Sequence, residues 1–366
     1  MFLALAVLAL MPAVRAVPPA PSAAEPVSAL PTRLTGEEFW KLSADLSEPD
    51  GYFRSDNLVS NERFMQRVIP DLTRLVRPGR AYLGVGPEQN FTYMAATRPA
   101  MVFILDVRRG NLHLHLMYKA LFELSADRAE FVSRLFSRRR PPGLTAKSTV
   151  SEIFTAFNDP ALRSDELYRQ NVAAIRDLFQ TKSTGPLSAH DLKGIEQVYD
   201  AFFTRGLSIR YEVTPGSAGS FPTYVEMMNA TDDASVARGY LASEELFAQI
   251  KDLQGRNLVV PVVGNFAGPK ALRAIGSYLK RHLSMVGAYY LSNVEQYLAR
   301  EGALDRFCDN AATLPLDDSS TFIRSERGGV APRFPRPPGG FGGFGGMFTS
   351  QLYAIRDDLR TCGTRQ

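Results

Sequence analysis

The chain has 366 residues, 45% hydrophobic and 22% charged, the balance of a globular protein with a sizeable core rather than of a disordered or fibrous chain. A formal charge of +4 and a pI of about 9.0 are too weak a basic excess to make nucleic acid an expected partner. Two late cysteines, Cys308 and Cys362, and four scattered histidines supply no metal-binding framework, so no metal ligand set is assigned.

The N-terminus opens with an apolar run, Phe2 to Met11, too short to span a bilayer. Val14-Arg15-Ala16 follows, with small residues at the two places a signal peptidase reads, and then a Pro/Ala-rich stretch. Residues 1–16 therefore read as a secretory signal peptide, although no Lys or Arg precedes the apolar run. The expected location is periplasmic or secreted, with no stable membrane insertion once the leader is cleaved; a cytoplasmic protein is the alternative if this segment is not a leader. Residues 17–33 read as a disordered linker, and 34–366 as a single domain.

Thr35-x-x-Glu38 is a capping-box pattern that starts a first helix. Phe64, Val68, Leu72 and Leu75 recur at helical spacing and predict a second over 61–76, stopped by Pro78-Gly79. Ala81 to Val85 reads as a buried strand running into a glycine turn, 88–97 as a helix, Met101 to Asp106 as a strand apolar along both faces, and 114–124 as a helix. This alternation is the pattern of parallel crossover units. Residues 137–207 interrupt it with helical segments, read as an insertion, and Arg138-Arg139-Arg140 there reads as a solvated loop. Further strands are expected over 207–213, 258–263 and 286–291, with helices over 244–253, 269–280 and 294–300. The stretch at about 327–347 contains GGFGGFGG and reads as a flexible loop. In an oxidising compartment Cys308 and Cys362 would close a disulfide across it; otherwise they are two unrelated thiols. The fold class is thus α/β, a mainly parallel sheet with helices on both faces and segments 81–85, 101–106, 258–263 and 286–291 as its central strands.

Ligands of such sheets sit at the carboxyl ends of the strands. Gly84 and Gly86 permit a tight turn and close approach of backbone to a ligand. Asp106, 20 residues after Gly86 and at the next strand end, is placed to receive two ribose hydroxyls; a solvated turn Asp is the alternative. Asn265, in the run Val263 to Pro269, can hydrogen-bond a substrate or merely close its turn. Ser292 and Asn293 read as a helix cap. Glu226 is a candidate acid or base with no identified partner. His113 and His115, placed on one side of a strand, read as structural. Walker, GxSxG and HExxH motifs are absent.

The segments YLGVGPEQNFTY, VFILDVRRGNLHLHLMYKALFEL, VPVVGNFAGPKALRAIGSYL and YYLSNVEQYL resemble, in order and over most of 35–325, an uncharacterised bacterial family. Its members look like class I S-adenosylmethionine-dependent methyltransferases in fold. The resemblance implies a Rossmann-like sheet. It places Gly84 and Gly86 under the methionine part of the cofactor, Asp106 on its ribose, and Asn265 to Gly268 after the fourth strand as catalytic or substrate residues. Methyltransferases usually carry an acid where Tyr82 stands and a glycine where Glu88 stands; Glu88 would have to supply the missing carboxylate. A leader peptide also conflicts with a cytoplasmic cofactor. Three functions follow as expectations: methyl transfer using S-adenosylmethionine or binding of another nucleoside-like ligand; an exported small-molecule-binding protein that kept the fold and lost the cofactor; or hydrolase or lyase chemistry in the same cleft using Glu88, Asp106 or Glu226.

Overall fold

Four of the apolar runs form parallel strands of one sheet in the computed structural model, which describes residues 28–181, 187–212, 221–327 and 348–362. The leader segment 1–16 and the Gly/Phe-rich run lie outside the described residues. The chain passes through α1 (Gly36–Leu46), α2 (Ile69–Leu75), β1 (Ala81–Gly84), α3 (Gln89–Thr97), β2 (Met101–Asp106), α4 (Arg109–Leu124) and α5 (Arg128–Phe136). It continues through α6 (Val150–Ala156), α7 (Asp165–Thr181), α8 (Ala189–Arg205), α9 (Tyr224–Met228), α10 (Glu244–Gly255), β3 (Val259–Val263), α11 (Ala271–Arg281) and β4 (Val286–Ser292). It ends with α12 (Val294–Arg300), α13 (Leu304–Ala311), β5 (Thr321–Arg327), β6 (Phe348–Ala354) and α14 (Ile355–Leu359).

The sheet order is β3-β2-β1-β4-β5-β6, parallel throughout except that β6 runs antiparallel to β5. Every residue of β1, β2 and β3 is buried, as a parallel sheet requires of strands covered on both faces. From β1 the chain builds outward to β2 and β3, then returns to add β4 on the other side. The switch point therefore lies between β1 and β4, where the carboxyl ends of adjacent strands part.

The edges are closed by local chemistry. β3 is an edge strand, so Pro261 can sit in it without forfeiting a ladder bond. Its free side is covered by the end of α1 and the residues after it: Ser43 Oγ donates to Pro261 O (2.6 Å), Ser47 Oγ accepts from Val263 N (3.0 Å) and Glu48 N donates to Val263 O (2.7 Å). At the other side β5 and β6 form the antiparallel pair that flanks the Gly/Phe-rich run. Arg324 of β5 is buried between the rings of Phe322 and Tyr353 and pairs with both Glu295 and Asp358, joining α12, β5 and α14.

Several local expectations are corrected. The helix expected over 61–76 is a 3-10 turn, Met65–Val68, followed by α2; Pro70 lacks an N–H and is accepted only in the first turn, so a new helix begins there. The strand expected over 207–213 is a 3-10 turn, Gly206–Ser208, and a single bridge from Arg210 to Thr223, with 213 outside the described residues. His113 and His115 lie on helix α4, not on a strand, and face different neighbours. The linker read over 17–33 is attached from Ser28 on: Ser28 N donates to Arg281 O (3.1 Å) and Arg33 Nη1 to Gly255 O (2.9 Å). Strands β5 and β6 were not expected. Their short alternating sequences, TFIRSER and FTSQLYA, lack the continuous apolar character of the central strands.

Cys308 and Cys362 are bonded, with Cα atoms 5.9 Å apart and a sequence separation of 54. A cross-link over a loop of that length restricts the unfolded chain by about 4 kcal/mol. The double variant Cys308→Ala/Cys362→Ala is expected to lose roughly that stability in urea unfolding, and the oxidised wild type to show no free thiol when denatured; an unchanged midpoint would separate the bond from the fold.

Candidate functional site at the carboxyl edge of the sheet

The turn after β1 is shaped by Asn90. Its amide nitrogen reaches back from α3 to the carbonyls of Val85 (2.9 Å) and Pro87 (2.7 Å), and its Oδ1 accepts from Tyr82 (2.9 Å). Gly84 is required there, because a Cβ would stand 1.8 Å from Asn90 Oδ1. Gly86 has φ +72, the left-handed region that glycine enters at no steric cost. Its carbonyl bonds His115 Nε2 at 2.8 Å, and Asn57 lies against its open side. The turn is therefore lined by the chain's own groups on three sides.

Asp106 does end β2 at this edge, but it is not the exposed rim residue that was expected. It is 5% exposed. The Arg108 amide donates to its Oδ1 (3.0 Å), the Arg108 guanidinium pairs with it (Nε at 3.5 Å), and the Gly86 amide is close enough to lower its pKa. Burial raises its pKa, and Arg108 opposes that rise. Arg108 is itself held by Asp56 O through Nη1 (2.6 Å). The ribose-reading position is thus occupied from within.

The strand ending at Val263 is an edge strand on the far side of β2, and β4 is the strand beside β1. Asn265 therefore does not follow the strand at the switch point, as the resemblance implied; Ser292 and Asn293 do. Asn265 is exposed and its side chain closes its own turn by accepting from Ala267 N (2.9 Å). Glu48 occupies the space beside it: its carboxylate accepts from Asn265 N (3.0 Å), Lys270 N (2.8 Å) and Ala271 N (2.8 Å), filling the N-terminus of α11. Glu226 is the exposed third residue of a capping box, bonded to Thr223 N at 2.7 Å, and this bond lowers its pKa. It lies on α9, where the carboxylate serves as a cap.

Glu88 is fully buried at the start of α3. Its Oε1 accepts from Ser60 N (3.2 Å), and its Oε2 has no partner. Desolvation lifts its pKa to about 7. The buried hydroxyls of Tyr118, Tyr224 and Tyr240 lie close enough to interact electrostatically with it. This is a sealed polar cluster beneath the glycine turn rather than an open cofactor contact.

A second buried carboxylate, Glu62, organises the switch point. Its Oε1 accepts from Tyr290 OH (2.6 Å) and Ser292 Oγ (2.7 Å), its Oε2 from Gln89 Nε2 (2.7 Å) and Ser350 Oγ (3.2 Å). Tyr93 and Ser60 complete the network through Gln89. The donors come from β4, β6 and α3, so one side chain joins the two sides of the sheet. Ser292 ends β4 with φ 51, a left-handed conformation that costs a non-glycine residue about 1–2 kcal/mol. Glu62, Gln89, Tyr290, Ser60 and Ser350 are buried; Ser292 alone of this network is partly exposed. Sequence reasoning missed Glu62 because it was read as an ordinary helix residue, and it took Ser292 for a cap. The apolar run YYLS entering a helix was the only available signal.

His113, His190 and Asp191 bring ligand atoms within 4.8 Å of one another, the spacing of a metal cluster. The carboxylate is already spent: Asp191 accepts from Arg109 Nε (2.7 Å) and Nη2 (2.9 Å), from Ser188 Oγ (2.7 Å) and from His113 Nε2 (2.9 Å). A guanidinium in that position repels a cation, and the group is better described as an ion pair that pins the start of α8 to α4.

Residues 57–355 match the model of a family described as Domain of unknown function (DUF7790). The chain belongs to this family. The match covers the sheet, the Glu62 network and the glycine turn, and begins with Asn57, which packs on Gly86. No curated protein matches the chain.

The Glu88 pKa carries a testable sign. Between its usual value of 4.5 and about 7 the unfolded chain releases this proton while the folded protein keeps it, so stability falls across that window and levels above it. The shift corresponds to about 3 kcal/mol. Glu88→Gln is expected to remove that slope and to be the more stable protein at pH 8. Parallel pH profiles of the two in urea would show the group ordinary and solvated.

Proposed function

We propose that this is an exported α/β protein that uses a methyltransferase-like scaffold without S-adenosylmethionine, taking a small-molecule ligand at the switch point between β1 and β4. The observation that carries the reading is the buried contact of Asp106 with Arg108 and the Gly86 amide. A ribose needs both oxygens of such an acid, and here Oδ1 is taken by Arg108. The methyltransferase likeness is supported by the sheet order, with its reversal between β1 and β4 and its antiparallel last strand. Export is supported by the leader-like N-terminus and by the disulfide, which persists in oxidising compartments. Such a compartment also holds no ready supply of a cytoplasmic cofactor.

Titration calorimetry with S-adenosylmethionine, its demethylated product and adenosine is expected to give no saturable heat. Stoichiometric binding of any of them would overturn the reading in favour of a methyltransferase whose Arg108 swings aside. Asp106→Ala, which strands the Arg108 guanidinium, is expected to cost about 3 kcal/mol of stability in urea unfolding. A loss near zero would return Asp106 to a solvated rim. N-terminal sequencing of protein taken from its native compartment is expected to begin at Val17; an intact Met1 would remove the export.

A further inference from the structure

We propose that Ser292 is a nucleophile and Glu62 the base that receives its proton, which makes the switch point a site of acyl transfer from esters to water. The inference rests on the reading that the protein works at the switch point without S-adenosylmethionine.

Three observations support it together. Ser292 sits at a strand-to-helix turn, between β4 and α12, in a left-handed conformation (φ 51). A serine so placed presents its hydroxyl beyond the end of the sheet, which is the conformational content of a nucleophile elbow; the GxSxG sequence is absent and the geometry stands without it. The hydroxyl donates to Glu62 Oε1 at 2.7 Å, the contact a nucleophile makes with its base. Glu62 is held from the other side by Tyr290, Gln89 and Ser350, so its orientation is fixed before a substrate arrives. Tyr290, Gln89 and Ser350, its other hydrogen-bond partners among the described residues, are buried, and Ser292 is the partly exposed member of the network. A knot serving only to join strands needs no strained residue at its one exposed position.

One turn further along α12, Tyr297 packs edge-to-face on Phe53 with ring centroids 5.2 Å apart. The Arg54 and Arg300 guanidiniums lie over the Tyr297 ring, so an aryl or short acyl group of the proposed ester would meet rings edged by positive charge. In the reaction, Ser292 Oγ attacks the ester carbonyl carbon and its proton passes to Glu62 Oε1. The ester C–O bond then breaks, and the leaving alcohol takes that proton. Water attacks the acyl-serine, gives a proton to Glu62, and the acid leaves as the proton returns to Ser292 Oγ. Ester and water give acid and alcohol, with no other co-reactant.

The test uses the full-length oxidised protein and a biotinylated fluorophosphonate, which phosphonylates activated serines. Peptide mapping is expected to find one label per chain, on Ser292, and none in Ser292→Ala of unchanged unfolding midpoint. Glu62→Gln is expected to slow labelling about 100-fold or more. Hydrolysis of p-nitrophenyl butyrate should fall in step. An unlabelled Ser292 in the wild type overturns the inference, as does a folded Glu62→Gln labelled at the wild-type rate; if Glu62→Gln does not fold, the wild-type map and Ser292→Ala decide. Failure here with no nucleoside binding removes only the nucleophile. Binding of S-adenosylmethionine removes the reading beneath it.

Discussion

The burial of Glu62 is the constraint around which the carboxyl edge is built. A carboxyl group taken out of water is costly unless its oxygens are hydrogen-bonded, and here four donors meet two oxygens. Those donors sit on β4, α3 and β6, elements distant in sequence. The requirement that they converge fixes how the two sides of the sheet meet at the switch point. It also brings in β6, whose antiparallel pairing with β5 places Ser350 against Tyr93 and Glu62. A parallel sheet opens a gap at this point by topology; in this protein a polar network lines it, with Ser292 as its partly exposed member.

The same economy recurs along the edge. Helix N-termini collect there and carry unsatisfied amides that favour negative charge. In many α/β proteins a phosphate or cofactor answers them. Here the segment after α1 does so instead. Glu48 accepts three amides at the start of α11, and Asp50 accepts the Arg109 amide at the start of α4 (2.7 Å). Gly51 approaches Val107 so closely that a Cβ would meet the valine side chain at 2.4 Å, holding the segment down. Arg108 completes the cover by joining Asp106 below to Asp56 O above. The amides that the topology leaves at this edge are thus answered by acids at 48, 50 and 106.

The central strands were legible because burial on both faces writes itself as uninterrupted apolar runs: VFIL and VVPVV have no other comfortable home. The capping box at Thr35 was legible because its chemistry is local. Strand order was not. Val259–Val263 and Val286–Ser292 are both largely apolar, and nothing within either run says which neighbours β1, so Asn265 was expected at the switch point where Ser292 stands. Glu62 was hidden for a related reason. A buried acid is recognised by what surrounds it, and its donors come from 27 to 288 positions away in sequence. Asp106 shows the converse. Its spacing from Gly86 matches a ribose acid, but spacing cannot reveal that Arg108, two residues on, turns back onto it.

Glu62 and Glu88 make an instructive pair, since both are buried acids at the start of α3. Glu62 has every lone-pair direction answered by a donor. Glu88 has one oxygen answered by Ser60 N and the other facing tyrosine hydroxyls without a bond, and desolvation wins, lifting it to about 7. The difference is hydrogen-bond supply rather than depth. It divides the region: Glu88 keeps its proton into the neutral range and belongs to the core, and Glu62 is an oriented acceptor whose partner Ser292 is partly exposed.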